Sequence, residues 1–238
     1  PGVFKVPVLG IELQRLLFLA SPPLLTPYAR FDIAGIENIP RTGPAILVAN
    51  HRSYFDLQTM IQVLRASGRT ARGLGKKEIF DVPGLGAIAT ALGGIAVDRG
   101  TSGQDSFENA AVALEGGELV ALMPQGTIPR GEKFYDPVLK GKTGAARLAA
   151  ITRAPVIPIG IWGSEHVWPR SAAVPNVLNV TNPPKVRVRV GEPVELKYRS
   201  PAADTKRIMA AIVDCLPPEA REHRVPTEEE IRLATPGS

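Results

Sequence analysis

Apolar and polar residues alternate with two different periods along the chain, and the changes of period mark its elements. Ala45-Ile-Leu-Val-Ala49 is a short unbroken apolar run, as a strand buried on both faces requires. Residues 94–97, 119–123 and 156–159 read the same way. Helical spacing follows Ser53 through Leu64 and returns at about 84–92, 103–115 and 142–152. Strands alternating with helices predict an α/β fold, with a mixed, largely parallel sheet covered by helices. Lys185-Val-Arg-Val-Arg-Val190 alternates basic and apolar residues, the pattern of a half-exposed strand late in the chain. Residues 202–215 read as a final helix, and no internal repeat is visible.

The two ends differ from this core pattern. Residues 1–30 crowd Val8, Ile11, Leu16, Leu17, Phe18 and Leu19 ahead of Pro22-Pro23 and Leu24-Leu25. Two short apolar helices split by the prolines are expected. Both a hairpin packed on the main domain and a membrane-surface anchor fit that composition. The α/β domain is expected to run over 31–216. The polar, proline-punctuated tail over 217–238 is expected to be loosely held. No run of about 20 uncharged apolar residues occurs, so a chain in solution or on a membrane surface is expected, rather than one that spans it.

Composition narrows the chemistry. The 238 residues, 44% hydrophobic and 21% charged, suit one folded domain with small appendages. Lys and Arg number 28 against 23 Asp and Glu, a net charge of +5, which favours an anionic partner such as phosphate, nucleic acid or an acidic bilayer. Aromatic residues make up only 5%, which argues against a base-stacking surface and hence against nucleic acid. The single cysteine, Cys215, excludes an internal disulfide framework and a Cys-based zinc site. Three histidines make a polyhistidine metal centre improbable, and no metal is expected.

The most informative stretch is Asn50-His51-Arg52-Ser53-Tyr54-Phe55-Asp56. His51 comes directly after a buried strand and before a helix. That puts it at the carboxyl edge of the sheet, where open α/β folds place ligands. Asp56, in the first helical turn, can fold back onto one imidazole nitrogen and leave the other free to take a proton from a hydroxyl. No nucleophile pairs with them: Cys215 is late in a helix, and no G-x-S-x-G elbow occurs. A base that activates the substrate's own hydroxyl is therefore favoured over a covalent intermediate. The competing reading makes Ser53 a helix cap, Asp56 its third-position carboxylate and His51 a loop residue. Gly84-Leu-Gly-Ala-Ile-Ala89 matches G-x-G-x-x-A but follows Pro83 rather than a strand, and Gly141-Lys142-Thr143 lacks the first glycine of a P-loop. His166, between Trp162 and Trp168, reads as a packed or loop histidine. The basic run Arg65, Arg69, Arg72, Lys76, Lys77 reads as a solvated face that also suits steering of phosphates.

Further segments follow in order: Gly75-Lys76-Lys77-Glu78, Gly93-Gly-Ile-Ala-Val-Asp98-Arg99, Pro124-Gln125-Gly126-Thr127 and Val156-Ile-Pro-Ile159. With His51 and Asp56, they make about residues 35–165 resemble the glycerolipid acyltransferases, the lysophosphatidic acid and glycerol-3-phosphate acyltransferases. That family carries H-x-x-x-x-D, G-x-I-x-x-x-R, P-E-G-T-R and V-P-I blocks. Lys142-Thr143-Gly144-Ala145 is similar to the family as well.

The resemblance implies an α/β acyltransferase fold, with His51 as general base and Asp56 orienting it. A fatty acyl group would pass from acyl-CoA or acyl carrier protein, as substrate and with no bound cofactor, to a hydroxyl of lysophosphatidic acid or glycerol 3-phosphate. It implies that Arg99, Lys76 or Lys77, Gln125, Gly126, Thr127, Arg130 and Lys142 surround the acceptor and its phosphate, and that the protein works peripherally on the cytoplasmic side of a membrane. An Arg99–Asp98 ion pair, a solvated face for the lysines and a helix-start role for Lys142 are the plainer alternatives. This chain reads Gln125-Gly126-Thr127-Ile128 where the family has Glu-Gly-Thr-Arg, with arginine only at Arg130. That departure leaves open another lipid or sugar acceptor, or a non-catalytic acyl-lipid binding protein.

Overall fold

The computed structural model describes residues 26–77, 81, 94–97 and 104–236. Seven strands form one sheet: β1 Arg30–Ala34, β2 Ala45–Ala49, β3 Ala71–Lys76, β4 Ile95–Val97, β5 Leu119–Leu122, β6 Val156–Trp162 and β7 Lys185–Val190. Their order across the sheet is β1-β7-β6-β2-β5-β3-β4. All neighbours are parallel except β6 and β7, where Ile159 faces Val190 and Trp162 faces Arg187. The helices are α1 Asp56–Ser67, α2 Gln104–Glu115, α3 Gly144–Thr152, α4 Ser164–Val167, α5 Pro201–Asp214 and α6 Glu228–Leu233. The mixed, largely parallel α/β sheet read from the sequence is the architecture found. The helix expected at about 84–92 and the apolar segment over 1–25 lie outside the described residues.

Strand β2 is buried along its whole length, and its residues divide between two cores. Leu47 and Ala49 pack with Ile157, Ile159, Ile161 and the Met60, Val63 and Leu64 face of α1. Ile46 and Val48 pack on the other side with Leu114 of α2, Leu148 of α3 and Ile208 and Ile212 of α5. An unbroken apolar run is what a strand covered on both faces needs. Two strands escaped the sequence reading. β1 is a short edge strand on β7, and β3, Ala-Arg-Gly-Leu-Gly-Lys, has no β-branched residue. Its neighbours β5 and β4 hold β3 in place from both sides.

The tail carries a short capped helix, α6. Thr227 and Glu230 form a reciprocal capping box at the start of α6. Ala234 is buried against Ile128 and Phe134, and the Tyr135 hydroxyl donates to the Glu230 carbonyl at 3.0 Å. No helix among the described residues is long and apolar enough to cross a membrane.

This topology sets the location of the site. Strands β2 to β6 end at one edge of the sheet, while β7 and β1, running the other way, begin there.

Candidate active site

The turn after β2 is built around one carboxylate. Asp56 opens α1 and is fully buried. Its Oδ2 accepts the Arg52 and Ser53 backbone N–H groups at 2.6 and 2.9 Å, so the chain from 52 to 56 folds back on its own side chain. The same oxygen lies 2.8 Å from His51 Nδ1. A carboxylate there accepts Nδ1–H, which places the other lone pair of the ring on Nε2. Asp56 Oδ1 accepts the Ser164 hydroxyl at 2.5 Å. The His51 ring keeps 24% of its surface exposed, so a substrate can reach it from the edge. Ser53 does not cap α1. Its hydroxyl donates to the Trp168 carbonyl at 2.7 Å and accepts Phe55 N–H at 3.0 Å.

Neighbouring strand ends brace this turn. Asn50 exchanges two hydrogen bonds with the Ile161 backbone, at 2.8 and 2.7 Å, and so locks the end of β2 to β6. From the other side, Gln125, three residues beyond β5, accepts the His51 backbone N–H on Oε1 at 2.7 Å. Arg52 points away from His51. Its guanidinium bonds Glu165 Oε1 from Nε and Nη2 at 2.8 Å, and lies between the Phe134 and Trp162 rings, 4.2 and 4.0 Å from their centroids. Burial pushes the Glu165 carboxyl up, but the charge and hydrogen bonds of Arg52 outweigh it and hold the group below its ordinary value. Glu165 Oε2 also accepts Gly163 N–H at 3.0 Å. Gly163 has φ +91°, and a Cβ there would lie 2.3 Å from the Lys185 carbonyl, so only glycine lets β6 turn sharply enough to deliver Ser164 to Asp56.

This arrangement is a histidine held by a buried carboxylate and partly exposed at the carboxyl edge of the sheet, the geometry a general base needs. Residues 30–162, more than half the chain, match the family model described as Acyltransferase. The chain belongs to that acyltransferase family. It is 32% identical over 148 residues to an uncharacterized protein of Mycobacterium tuberculosis, covering 59% of this chain and 39% of that one. It is 28% identical over 171 residues to a chloroplastic 1-acyl-sn-glycerol-3-phosphate acyltransferase of Brassica napus, covering 71% of this chain and 46% of that one. The chain thus spans less than half the length of either relative. The crystal structure of the 1-acyl-sn-glycerophosphate acyltransferase of Thermotoga maritima superposes with a TM-score of 0.63 over 85% of this chain and 77% of that one. At 24% identity, that likeness speaks for the fold.

The remaining residues singled out from the sequence gather unevenly. Lys76 ends β3 at the same sheet edge as His51, and Lys77 follows it, exposed. Arg99 lies outside the described residues. Gly126, at φ +70°, turns the chain after Gln125, and the Lys142 backbone N–H donates to the Pro124 carbonyl at 2.8 Å, which brings the start of α3 to this turn. The side chains of Lys142, Thr127 and Arg130 are exposed. Ile128, where the family has arginine, is buried with Phe134 and Ala234. His166 is exposed on α4. Cys215 packs with Sγ 3.9 Å from the Pro158 carbonyl. Burial, helped by the Asp214 charge, pushes its thiol up and makes it a poor nucleophile. Among the described residues no three His, Cys, Asp or Glu side chains cluster as metal ligands. No local pattern signals Ser164, 108 positions from Asp56, or the bond from His51 to Gln125.

Proposed function

We propose that the protein transfers a fatty acyl group from acyl-CoA, or from acyl carrier protein, to a hydroxyl of lysophosphatidic acid or glycerol 3-phosphate. His51 Nε2 takes the proton of the acceptor hydroxyl while its oxygen attacks the thioester carbonyl carbon. The tetrahedral adduct collapses as the C–S bond breaks, and the leaving thiolate takes the proton back from the imidazolium. Each turnover exchanges a thioester for an ester with no net change in protons or electrons, so no cofactor step is needed. Asp56 keeps the ring in the productive tautomer and stabilises the imidazolium that forms. The observation that carries this reading is the His51–Asp56 pair, fixed by three further donors on Asp56 and open at Nε2. The acyltransferase family match supports acyl transfer, and the name of the plant relative supports the choice of acceptor.

The exposed basic groups at this edge, Lys77, Lys142 and Arg130, with Lys76 and Arg99, are the candidates for the acceptor phosphate, since a cation bound to phosphate makes charge-assisted hydrogen bonds. A lipid acceptor places the enzyme at the cytoplasmic face of a membrane, peripherally. A second reading, another lipid or a sugar as acceptor, is favoured by two positions. The Gln125 carbonyl oxygen is turned to the His51 backbone, and Ile128 is buried, so neither supplies the charge of the family's Glu and Arg. Thiol release from acyl-CoA, followed on adding lysophosphatidic acid, glycerol 3-phosphate or an unphosphorylated acceptor in turn, tests both. Release driven best by a phosphorylated glycerol supports the first reading, and equal release with the unphosphorylated acceptor supports the second. No release with any acceptor sinks acyl transfer.

A further inference from the structure

Residues 171–184, between α4 and β7, contain fourteen residues and no charge. The loop does not bury its aliphatic side chains. Leu178 is 87% exposed and Val174 69%, and Val177 and Val180 are exposed as well. Scattered apolar residues on a surface need no explanation, but four in seven positions on one uncharged loop do.

Its place in the fold is specific. β6 ends and β7 begins at the edge that carries His51, so the loop projects from that edge. Trp168 joins it to the site: the indole N–H donates to the Ala172 carbonyl at 3.0 Å, the ring lies 5.5 Å from that of exposed Tyr54, and the Trp168 carbonyl accepts the Ser53 hydroxyl. β1 starts at the same edge, with Arg30 N–H donating to the Pro184 carbonyl and Arg30 Nε–H to that of Pro183.

A second observation stands at the base of the loop. Arg170 is 8% exposed, its guanidinium carbon lies 5.6 Å from the Tyr54 ring centroid, and its Nε has no hydrogen-bond partner among the described residues. No ion pair of Arg170 is found among them either. A buried N–H with no acceptor costs free energy, and the Arg170 guanidinium, which has no carboxylate partner among the described residues, suits an anion such as phosphate.

From these features we infer that the 171–184 loop docks in a phospholipid surface, its aliphatic side chains entering the acyl boundary while Arg170 takes a headgroup phosphate. Trp168 and Tyr54 then lie at headgroup depth, where such rings are favoured. A protein partner fits less well, because a standard interface takes about 20–30 residues a side, whereas this patch offers about six. The inference rests on the lipid-acceptor reading for its purpose, but its test does not depend on catalysis.

The full chain would be co-sedimented with vesicles of phosphatidylglycerol and phosphatidylcholine. V177D/L178D should lower partitioning at least about tenfold, as expected for aliphatic side chains withdrawn from lipid. R170Q should lower it about fivefold and flatten its salt dependence. Both variants should keep the wild-type Tm and acylate a soluble short-chain acceptor as before. Unchanged partitioning in either folded variant overturns the inference. So does inorganic phosphate protecting Arg170 in a protein that ignores vesicles, or a monodisperse dimer that V177D/L178D dissociates. If V177D/L178D does not fold, a bimane label on L178C in a C215S background should shift to the blue on adding vesicles, and no shift overturns the inference. Vesicle binding without thiol release by the wild type removes the enzymatic reading alone.

Discussion

Asp56 meets four donors, and each holds a different part of the site. Ser164, at the start of α4 just past β6, is the one that comes from outside the 51–56 turn. S164A would leave Asp56 Oδ1 buried without its donor, a loss of about 1–3 kcal/mol. We expect a lower Tm and a kcat reduced roughly ten- to a hundredfold with KM for the acceptor little changed. An unaltered kcat in a stable S164A protein contradicts the positioning role. Gln125 gives a second test. The bond from His51 N–H asks only for an acceptor oxygen, which glutamate supplies as well as glutamine. Q125E should therefore retain kcat and Q125L should lower it, each measured by thiol release. A rise in acceptor KM alone in Q125L assigns the side chain to the acceptor instead. His51 and Asp56 were legible because the bond between them spans five positions and follows a recognisable strand. Ser164 and the actual bond of Gln125 were not, because strand order across the sheet brings them together and no local pattern encodes that order.

At the scale of elements, burial decided which parts could be read. β2, β6 and β7 stood out because a strand covered on both faces is continuously apolar, and one covered on a single face alternates. β3 did not, since Gly73, Gly75 and Arg72 give no strand signal and its neighbours supply the order. α6 was hidden by its polarity, because its stability comes from a capping box and an ion pair more than from a buried face. The Arg224 side chain, then the Thr227 backbone N–H, hold the Glu230 carboxyl down to about 2, against an ordinary 4.5. A carboxyl with a lowered folded-state pKa stabilises fully above its unfolded value and loses that contribution as pH falls through the folded one. Hydrogen-exchange protection of 228–233 should thus hold above about pH 4.5 and decline toward pH 2, ahead of the protection of β2 and β6. Loss of α6 protection already at neutral pH, or none by pH 2, contradicts the assigned interaction.

Over the whole molecule, two packed faces of one sheet leave a single edge where five strands end and two begin. The His51 turn, the Gln125 turn, the end of β3, the start of α3 and the uncharged 171–184 loop converge on that edge. General-base catalysis by a positioned histidine contributes about 10²–10⁴-fold. The decisive measurement is acceptor-dependent thiol release from acyl-CoA by the wild type and by H51A, with Tm recorded for both. Release should require lysophosphatidic acid or glycerol 3-phosphate and match the ester formed, and H51A should lose about 10²–10⁴-fold at unchanged Tm. A folded H51A protein that releases thiol at close to the wild-type rate contradicts the role given to His51.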